Sequence, residues 1–311
     1  MVSIIIKDVN KSYAEIHAVC DVSVDIQEGC LFGLIGPDGA GKTTLFRLIT
    51  TLLIPDSGTI SVFGYDTVRD YRKIRLFTGY MPGRFSLYPD LTVEENLNFY
   101  ATIFGTSIKE HLHLIKPVYS MLEPFHDRLA RNLSGGMKQK LALSCALIHN
   151  PKFLVLDEPT TGVDAVSRKE FWEALYLLRD SGMTILVSTP YMDEAAKCDR
   201  IAMMQYGKIM DQNTPSAILS GYTTPLFEIR VSDRLFALQF LRTLKGVKRA
   251  YLFGQYIHIA ADSSSHNDKW LLAKLAEEGI SDAAVIAVQA GFEDCFIDAV
   301  ENINLRSGAH D

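Results

Sequence analysis

The run Gly36-Pro37-Asp38-Gly39-Ala40-Gly41-Lys42-Thr43 has residue types and spacing that suit phosphate chemistry. It fits the pattern G-x-x-x-x-G-K-[ST], in which glycines let backbone N–H groups turn inward onto phosphate oxygens. Lys42 would neutralise β and γ phosphates, and the Thr43 hydroxyl would ligate Mg²⁺. Thr44 follows at the start of a helical pattern over Thr44–Leu53, so the helix terminus adds its partial positive charge. A second constellation is Phe153-Leu154-Val155-Leu156-Asp157-Glu158, an apolar run ending in two carboxylates. Asp157 fits a second contact to the metal, and Glu158 fits a base that polarises an attacking water. An apolar run ending in acids is weak evidence alone and gains force after a phosphate loop.

These residues need a rigid frame. The apolar runs Leu31–Ile35, Phe153–Leu156 and Thr184–Val187 alternate with helical patterns, as buried parallel strands between helices do. Each is closed by a polar or glycine-rich turn, where α/β proteins keep ligand sites. Ser3–Val9 and Ala18–Ile26 show partial alternation, and Pro55-Asp56-Ser57-Gly58 signals a turn before a strand Thr59–Phe63. An antiparallel β layer beside the parallel core follows. Val93–Met121 is helical in pattern, with Leu97, Tyr100, Ala101 and Phe104 on one face. After Gly221 the pattern becomes βαββαβ: Leu226–Val231, Arg234–Leu244, Val247–Phe253, Tyr256–Ala260, Asp268–Glu277 and Ala284–Gln289, then a last helix Phe292–Ile303. That order is ferredoxin-like. The expected domains are therefore 1–221 and 222–311, the second without a catalytic cluster of its own.

The chain has 311 residues, 48% hydrophobic and 22% charged, enough for a full core and a smaller second domain. A net charge of −6 argues against nucleic acid as a partner. Cys20, Cys30, Cys145, Cys198 and Cys295 are scattered and never form a CxxC pair, which reads as free thiols in a reducing compartment. The N-terminus does not read as a signal peptide, and no apolar run approaches the ~20 residues of a membrane span. Any service to a membrane is expected from its cytoplasmic face, through partners.

Leu133-Ser134-Gly135-Gly136-Met137-Lys138-Gln139-Lys140 resembles the LSGGQ signature of the ABC ATPases. A Ser hydroxyl, glycine amides and a helix start together bind an anion, and the helix is expected over about residues 135–149. The other pieces stand in the family's order. Tyr13 falls where the family carries an aromatic that stacks on adenine, although the residue alone reads equally as part of the β-layer core. Pro159-Thr160-Thr161-Gly162-Val163-Asp164 resembles the D-loop, with Asp164 facing a second subunit. Tyr88–Leu97 (YPDLTVEENL) resembles the segment that opens the helical subdomain, about residues 85–150, and receives the permease. The resemblance covers about residues 1–220. It implies a P-loop NTPase fold, bound ATP and Mg²⁺, and a dimer in which each signature completes the partner's ATP site. GPDGAGKTT, LTVEENL, LSGGMKQK and GVD resemble the ABC-2 exporter branch, and FEDCFID, Phe292–Asp298, resembles its tail helix. The resemblance thus implies a peripheral ATPase on the inner face of the cell membrane, beside an ABC-2 transmembrane permease.

Two positions depart from the family. Its members usually carry a Gln where this sequence has Gly83, and no Gln occurs between Gln27 and Gln139. They usually carry a His where this sequence has Pro190, which lacks both an imidazole and a backbone N–H. Both missing groups aim at one γ-phosphate, so the site on Lys42 is expected to bind ATP well and hydrolyse it poorly. A carboxylate at Asp38, where the family often has Asn, is expected to point away from phosphates. An intact Ser134-Gly135-Gly136 beside altered loops implies a heterodimer with a second cassette, with a homodimer as the alternative. It also resembles the N-terminal half of tandem-cassette exporters, here as a separate chain. Competing readings are a soluble ABC ATPase acting on ribosomes or DNA, and a nucleotide-sensing regulatory module.

Overall fold

The computed structural model describes residues 2–262 and 266–307; Met1, 263–265 and 308–311, parts of the two expected domains, lie outside it. The chain divides into two compact units, Ala217–Asp298 and the remainder. The division falls a few residues before the position read from the sequence.

In the first unit, β1 (Val2–Tyr13) and β2 (Ile16–Gln27) form a long hairpin. With β4 (Ser57–Val62) and β5 (Tyr65–Asp66) they make an antiparallel sheet in the order β2-β1-β4-β5. The alternation of Ile4, Ile6, Val22, Val24 and Ile26 puts one face in the core. Asp8 and Asp21 take positive φ where the β1–β2 register slips, as a bulge allows.

The second sheet carries β3 (Leu31–Ile35), β6 (Thr78–Met81), β7 (Phe153–Asp157), β8 (Thr184–Thr189), β9 (Arg200–Gln205) and β10 (Lys208–Asn213). Its order is β10-β9-β3-β8-β7-β6. All pairs are parallel except β10 with β9. Strands β3, β7 and β8 are wholly buried, which is why they read as unbroken apolar runs. The core between the two sheets holds Phe32, Leu45, Phe46, Phe153 and Leu186.

Helix α1 (Lys42–Ile49) follows β3, and α2 (Tyr71–Phe77) precedes β6. Helix α1 ends earlier than its apolar run suggests, since Thr51 takes a left-handed φ of 65°. The long helical pattern at 93–121 resolves into α3 (Val93–Ile103) and α4 (Ile108–Tyr119). Gly105, with φ 68°, breaks it. Thr92 and Glu95 form a capping box at the start of α3. Helices α5 (Gly135–Leu147) and α6 (Ala165–Asp180) flank β7 in sequence, and α7 (Pro215–Gly221) follows β10.

The second unit contains β11 (Leu226–Arg230), α8 (Arg234–Thr243), β12 (Val247–Phe253), β13 (Tyr256–Ala261), α9 (Asp268–Glu277) and β14 (Ala284–Ala287). Its sheet is antiparallel throughout, in the order β12-β13-β11-β14. Ile229, Ile257 and Ile259 pack with Ala237, Leu241, Leu271 and Leu275 of the two helices. The last helix, α10 (Phe292–Ser307), begins with Asp294 buried at 1% exposure. That carboxylate accepts from the Gly291 N–H at 2.7 Å, bonds His258 Nδ1 at 2.7 Å, and accepts from the Tyr251 hydroxyl. Desolvation pushes its acidity down, but His258, Tyr251 and the Gly291 N–H outweigh this and hold it below the usual carboxylate range.

Candidate functional site

Parallel pairing brings the ends of four strands to one edge. Ile35 of β3 pairs with Thr189 of β8, Ser188 of β8 with Asp157 of β7, and Leu156 of β7 with Met81 of β6. The glycine-rich loop, the Asp157-Glu158 pair, Pro190 and Gly83 therefore emerge together, at the carboxyl edge where open α/β sheets hold ligands. The Gly36 N–H donates to the Thr189 carbonyl at 3.3 Å, which ties the start of the loop to the residue before Pro190.

A cavity of about 530 Å³ sits over this loop. Asp38, Gly39, Ala40, Gly41, Lys42, Thr43 and Thr44 line it, with Glu158 and, from the two hairpin turns, Tyr13 and Tyr206. Gly36 and Pro37 meet the site through Lys42: its ammonium donates to the Gly36 carbonyl at 2.7 Å and the Pro37 carbonyl at 3.0 Å. The same ammonium lies 3.1 Å from Glu158 Oε1. Gly41 has φ 107°, and a Cβ there would stand 2.2 Å from the Ala18 carbonyl oxygen. Only glycine fits that turn. Tyr13 is 42% exposed, too open for a core residue. Asp38 is exposed where the loop meets solvent.

Glu158 adopts φ 50°, a left-handed conformation unusual outside glycine. Buried Ser188 holds it there. The Glu158 N–H donates to Ser188 Oγ at 3.0 Å, and that hydroxyl donates to Asp157 Oδ1 at 2.7 Å. Asp157 is only 3% exposed, and a buried carboxylate needs a partner or a metal. One carboxylate with the Thr43 hydroxyl is an all-oxygen donor set that fits a hard divalent cation completed by phosphates. Among the described residues no cluster of three or more His, Cys, Asp or Glu could hold a metal without such help.

A Cβ at Gly83 would stand 3.0 Å from the Asp157 carbonyl oxygen and 3.8 Å from the Glu158 Cβ. Position 83 thus faces the two acids, and glycine supplies no polar side chain there. Pro190 follows β8 directly and offers neither donor nor imidazole.

The Leu133–Met137 segment is a separate feature of the same unit. Ser134 N-caps α5, accepting from the Met137 N–H at 3.3 Å. Ser134 and Gly135 are exposed, whereas Leu133 and Gly136 are buried. A Cβ at Gly136 would strike Ser167 Oγ at 2.4 Å, so the start of α5 lies against the start of α6. Asp164 caps α6 by accepting from the Ser167 N–H at 2.9 Å, which holds its carboxyl below the usual range. The exposed Ser134, Gly135 and Asp164 do not line the cavity over Lys42.

Three residues escaped the reading of the sequence: Ser188, Tyr206 and Glu194. Glu194 is fully buried. It accepts from Thr160 Oγ1 at 2.9 Å and Trp172 Nε1 at 3.0 Å, with Arg168 Nε 3.8 Å away. It fastens the segment after Pro190 to the segment after Glu158.

Residues 19–161 match the ABC transporter family. The Nod factor export ATP-binding protein I of Burkholderia lata is 39% identical over 218 residues, 69% of this chain and 72% of that protein. The chain belongs to the ABC transporter ATP-binding proteins. A probable multidrug ABC transporter ATP-binding protein of Escherichia coli is 38% identical over 287 residues, 90% of this chain. The chain spans about half, 49%, of that relative's length. Solved ABC cassettes share the fold. A dimeric cassette bound to ADP and Pi superimposes with a TM-score of 0.63 at 27% identity, covering 68% of this chain and 98% of that one. The ATP-binding subunit of an ABC transporter gives 0.64 at 29%, covering 70% and 92%. No helix among the described residues is long and apolar enough to cross a membrane.

Proposed function

We propose that this chain is the ATP-binding and hydrolysing subunit of an ABC-2 type exporter, and the slow-site member of an asymmetric pair of cassettes. One observation carries the reading: Gly83 and Pro190 flank the same acids and phosphate loop that are otherwise complete, while Ser134-Gly135-Gly136 keeps the signature's residues, with Ser134 and Gly135 exposed. The glycine-loop amides and Lys42 bind the triphosphate, and Tyr13 stacks on the base. Thr43 and Asp157 hold Mg²⁺, which when bound neutralises phosphate charge. Glu158 accepts a proton from the attacking water, without help from positions 83 and 190. Ser134, Gly135 and Gly136, with Leu133 and Met137, complete the ATP site of a second cassette, and Asp164 faces that cassette.

The names of the relatives, multidrug and Nod factor export, support an export role. The Escherichia coli relative has room for a second cassette beyond the matched half, which fits a heterologous pair better than a homodimer. The Tyr88–Leu97 segment, which leads into α3 through the Thr92–Glu95 capping box, is the proposed seat of the permease, on the cytoplasmic face of the membrane. The second unit, Ala217–Asp298, serves regulation or partner contact. Capture of the full chain from detergent-solubilised membranes should bring down a polytopic membrane protein and a second cassette. Recovery with ribosomes or DNA instead would favour a soluble ATPase, and recovery alone a nucleotide sensor.

A further inference from the structure

The cavity over the phosphate loop has a second aromatic that the proposed reaction leaves unused. Tyr206 lines it together with Tyr13 and Ile16. Tyr206 is 68% exposed and Ile16 69%, so part of the cavity's lining is apolar surface turned to solvent. Large apolar side chains gathered at a pocket rim mark a binding surface.

The backbone adds a separate argument. Gln205 pairs with Lys208, so Tyr206 and Gly207 are the two central residues of a tight turn between β9 and β10. Both take positive φ, 48° and 75°. Such turns favour Asn-Gly or Asp-Gly, since a bulky side chain is disfavoured at φ > 0. A tyrosine held there against local preference points to a role for its ring. The turn is also fixed to the nucleotide loop: the Gly207 N–H donates to the Ala40 carbonyl at 3.0 Å, and the Cys20 N–H donates to the Gly207 carbonyl at 2.8 Å. The backbone that carries the ring therefore keeps a set position relative to the glycine-rich loop, as a specificity contact requires.

We infer that Tyr206 is a specificity-determining residue that contacts the nucleoside end of the bound nucleotide, forming an aromatic wall additional to Tyr13. The inference rests on the reading of this cavity as the ATP site. A base offers a π face to any aromatic neighbour, so Tyr206 raises affinity for nucleotides over bare polyphosphate.

The test titrates the full chain, with Mg²⁺, against ATP and against inorganic triphosphate. Tyr206→Asn places a residue the turn prefers, and its thermal midpoint should match or exceed the parent's. It should weaken ATP binding roughly tenfold, yet leave triphosphate binding within about twofold. Tyr206→Phe, which keeps the ring, should stay within about threefold of the parent for ATP. Unchanged ATP affinity in Tyr206→Asn, or equal loss for ATP and triphosphate, would overturn the inference. Lys42→Ala separates the two layers: it should weaken both ligands, and if it weakens neither, the ATP-site reading itself fails.

Discussion

Lys42 Nζ lies 3.1 Å from Glu158 Oε1, so the proposed phosphate anchor and the proposed base form an ion pair across the cavity floor. The lysine is 3% exposed, and its ammonium must be shared between Glu158 and an arriving phosphate. Lys42→Ala should lower ATP affinity by about 1.5–3 kcal/mol, the scale of a charge-assisted contact. Glu158→Gln removes the competitor and should bind ATP at least as tightly as the parent. Titration with a fluorescent ATP analogue checks both; unchanged or tighter binding by Lys42→Ala would contradict the anchor role.

Glu194 should carry stability. Its removal orphans Trp172 Nε1 and Thr160 Oγ1 in a buried site and frees the charge of Arg168. Glu194→Ala should cost about 2–4 kcal/mol in urea unfolding. A loss within ~0.5 kcal/mol would show that the cluster is not a staple.

His149 supplies a pH test. Burial lowers its pKa from 6.5 to about 4, opposed by its bond to the Thr78 carbonyl. The unfolded chain therefore binds the proton first as pH falls. Stability is unaffected by this group above about 6.5, and falls between 6.5 and about 4. His149→Phe keeps a ring against Phe104, now 3.8 Å away, and should lose less stability than the parent over that window. Equal pH slopes in urea unfolding would contradict the assignment.

Restoring the two family side chains should raise turnover. Gly83→Gln places its Cβ 3.0 Å from the Asp157 carbonyl, a contact relieved by a shift of a few tenths of an ångström. Gly83→Gln with Pro190→His should accelerate single-turnover hydrolysis by ~10²–10³, the usual worth of a preorganised γ-phosphate contact. Adding Glu158→Gln should erase the gain. No acceleration would mean that these positions do not limit the site.

The legible parts of this molecule were those where chemistry restricts residue choice. Phosphate binding needs glycines beside Gly41 and a cation at Lys42, and buried parallel strands need unbroken apolar runs, so β3, β7 and β8 could be read almost residue by residue. Element ends were harder: Thr51 and Gly105 stop helices through backbone conformation that apolar periodicity does not encode. Ser188, Glu194 and Tyr206 were hidden because a serine in a strand, an acid in a short helix and a tyrosine in a turn are ordinary locally. Their roles arise only when parallel pairing sets Ser188 beside Asp157, and when the β9–β10 turn meets the phosphate loop.

The asymmetric pair is tested most directly by steady-state ATPase activity of the reconstituted transporter carrying Ser134→Arg or Glu158→Gln in this chain. In the proposed pair Ser134 would serve the partner's ATP, whereas Glu158 would serve the ATP on Lys42. Ser134→Arg should therefore abolish most activity and Glu158→Gln should remove far less. Greater damage from Glu158→Gln, or an ordinary transporter rate from this chain alone, would contradict the account and favour a symmetric dimer.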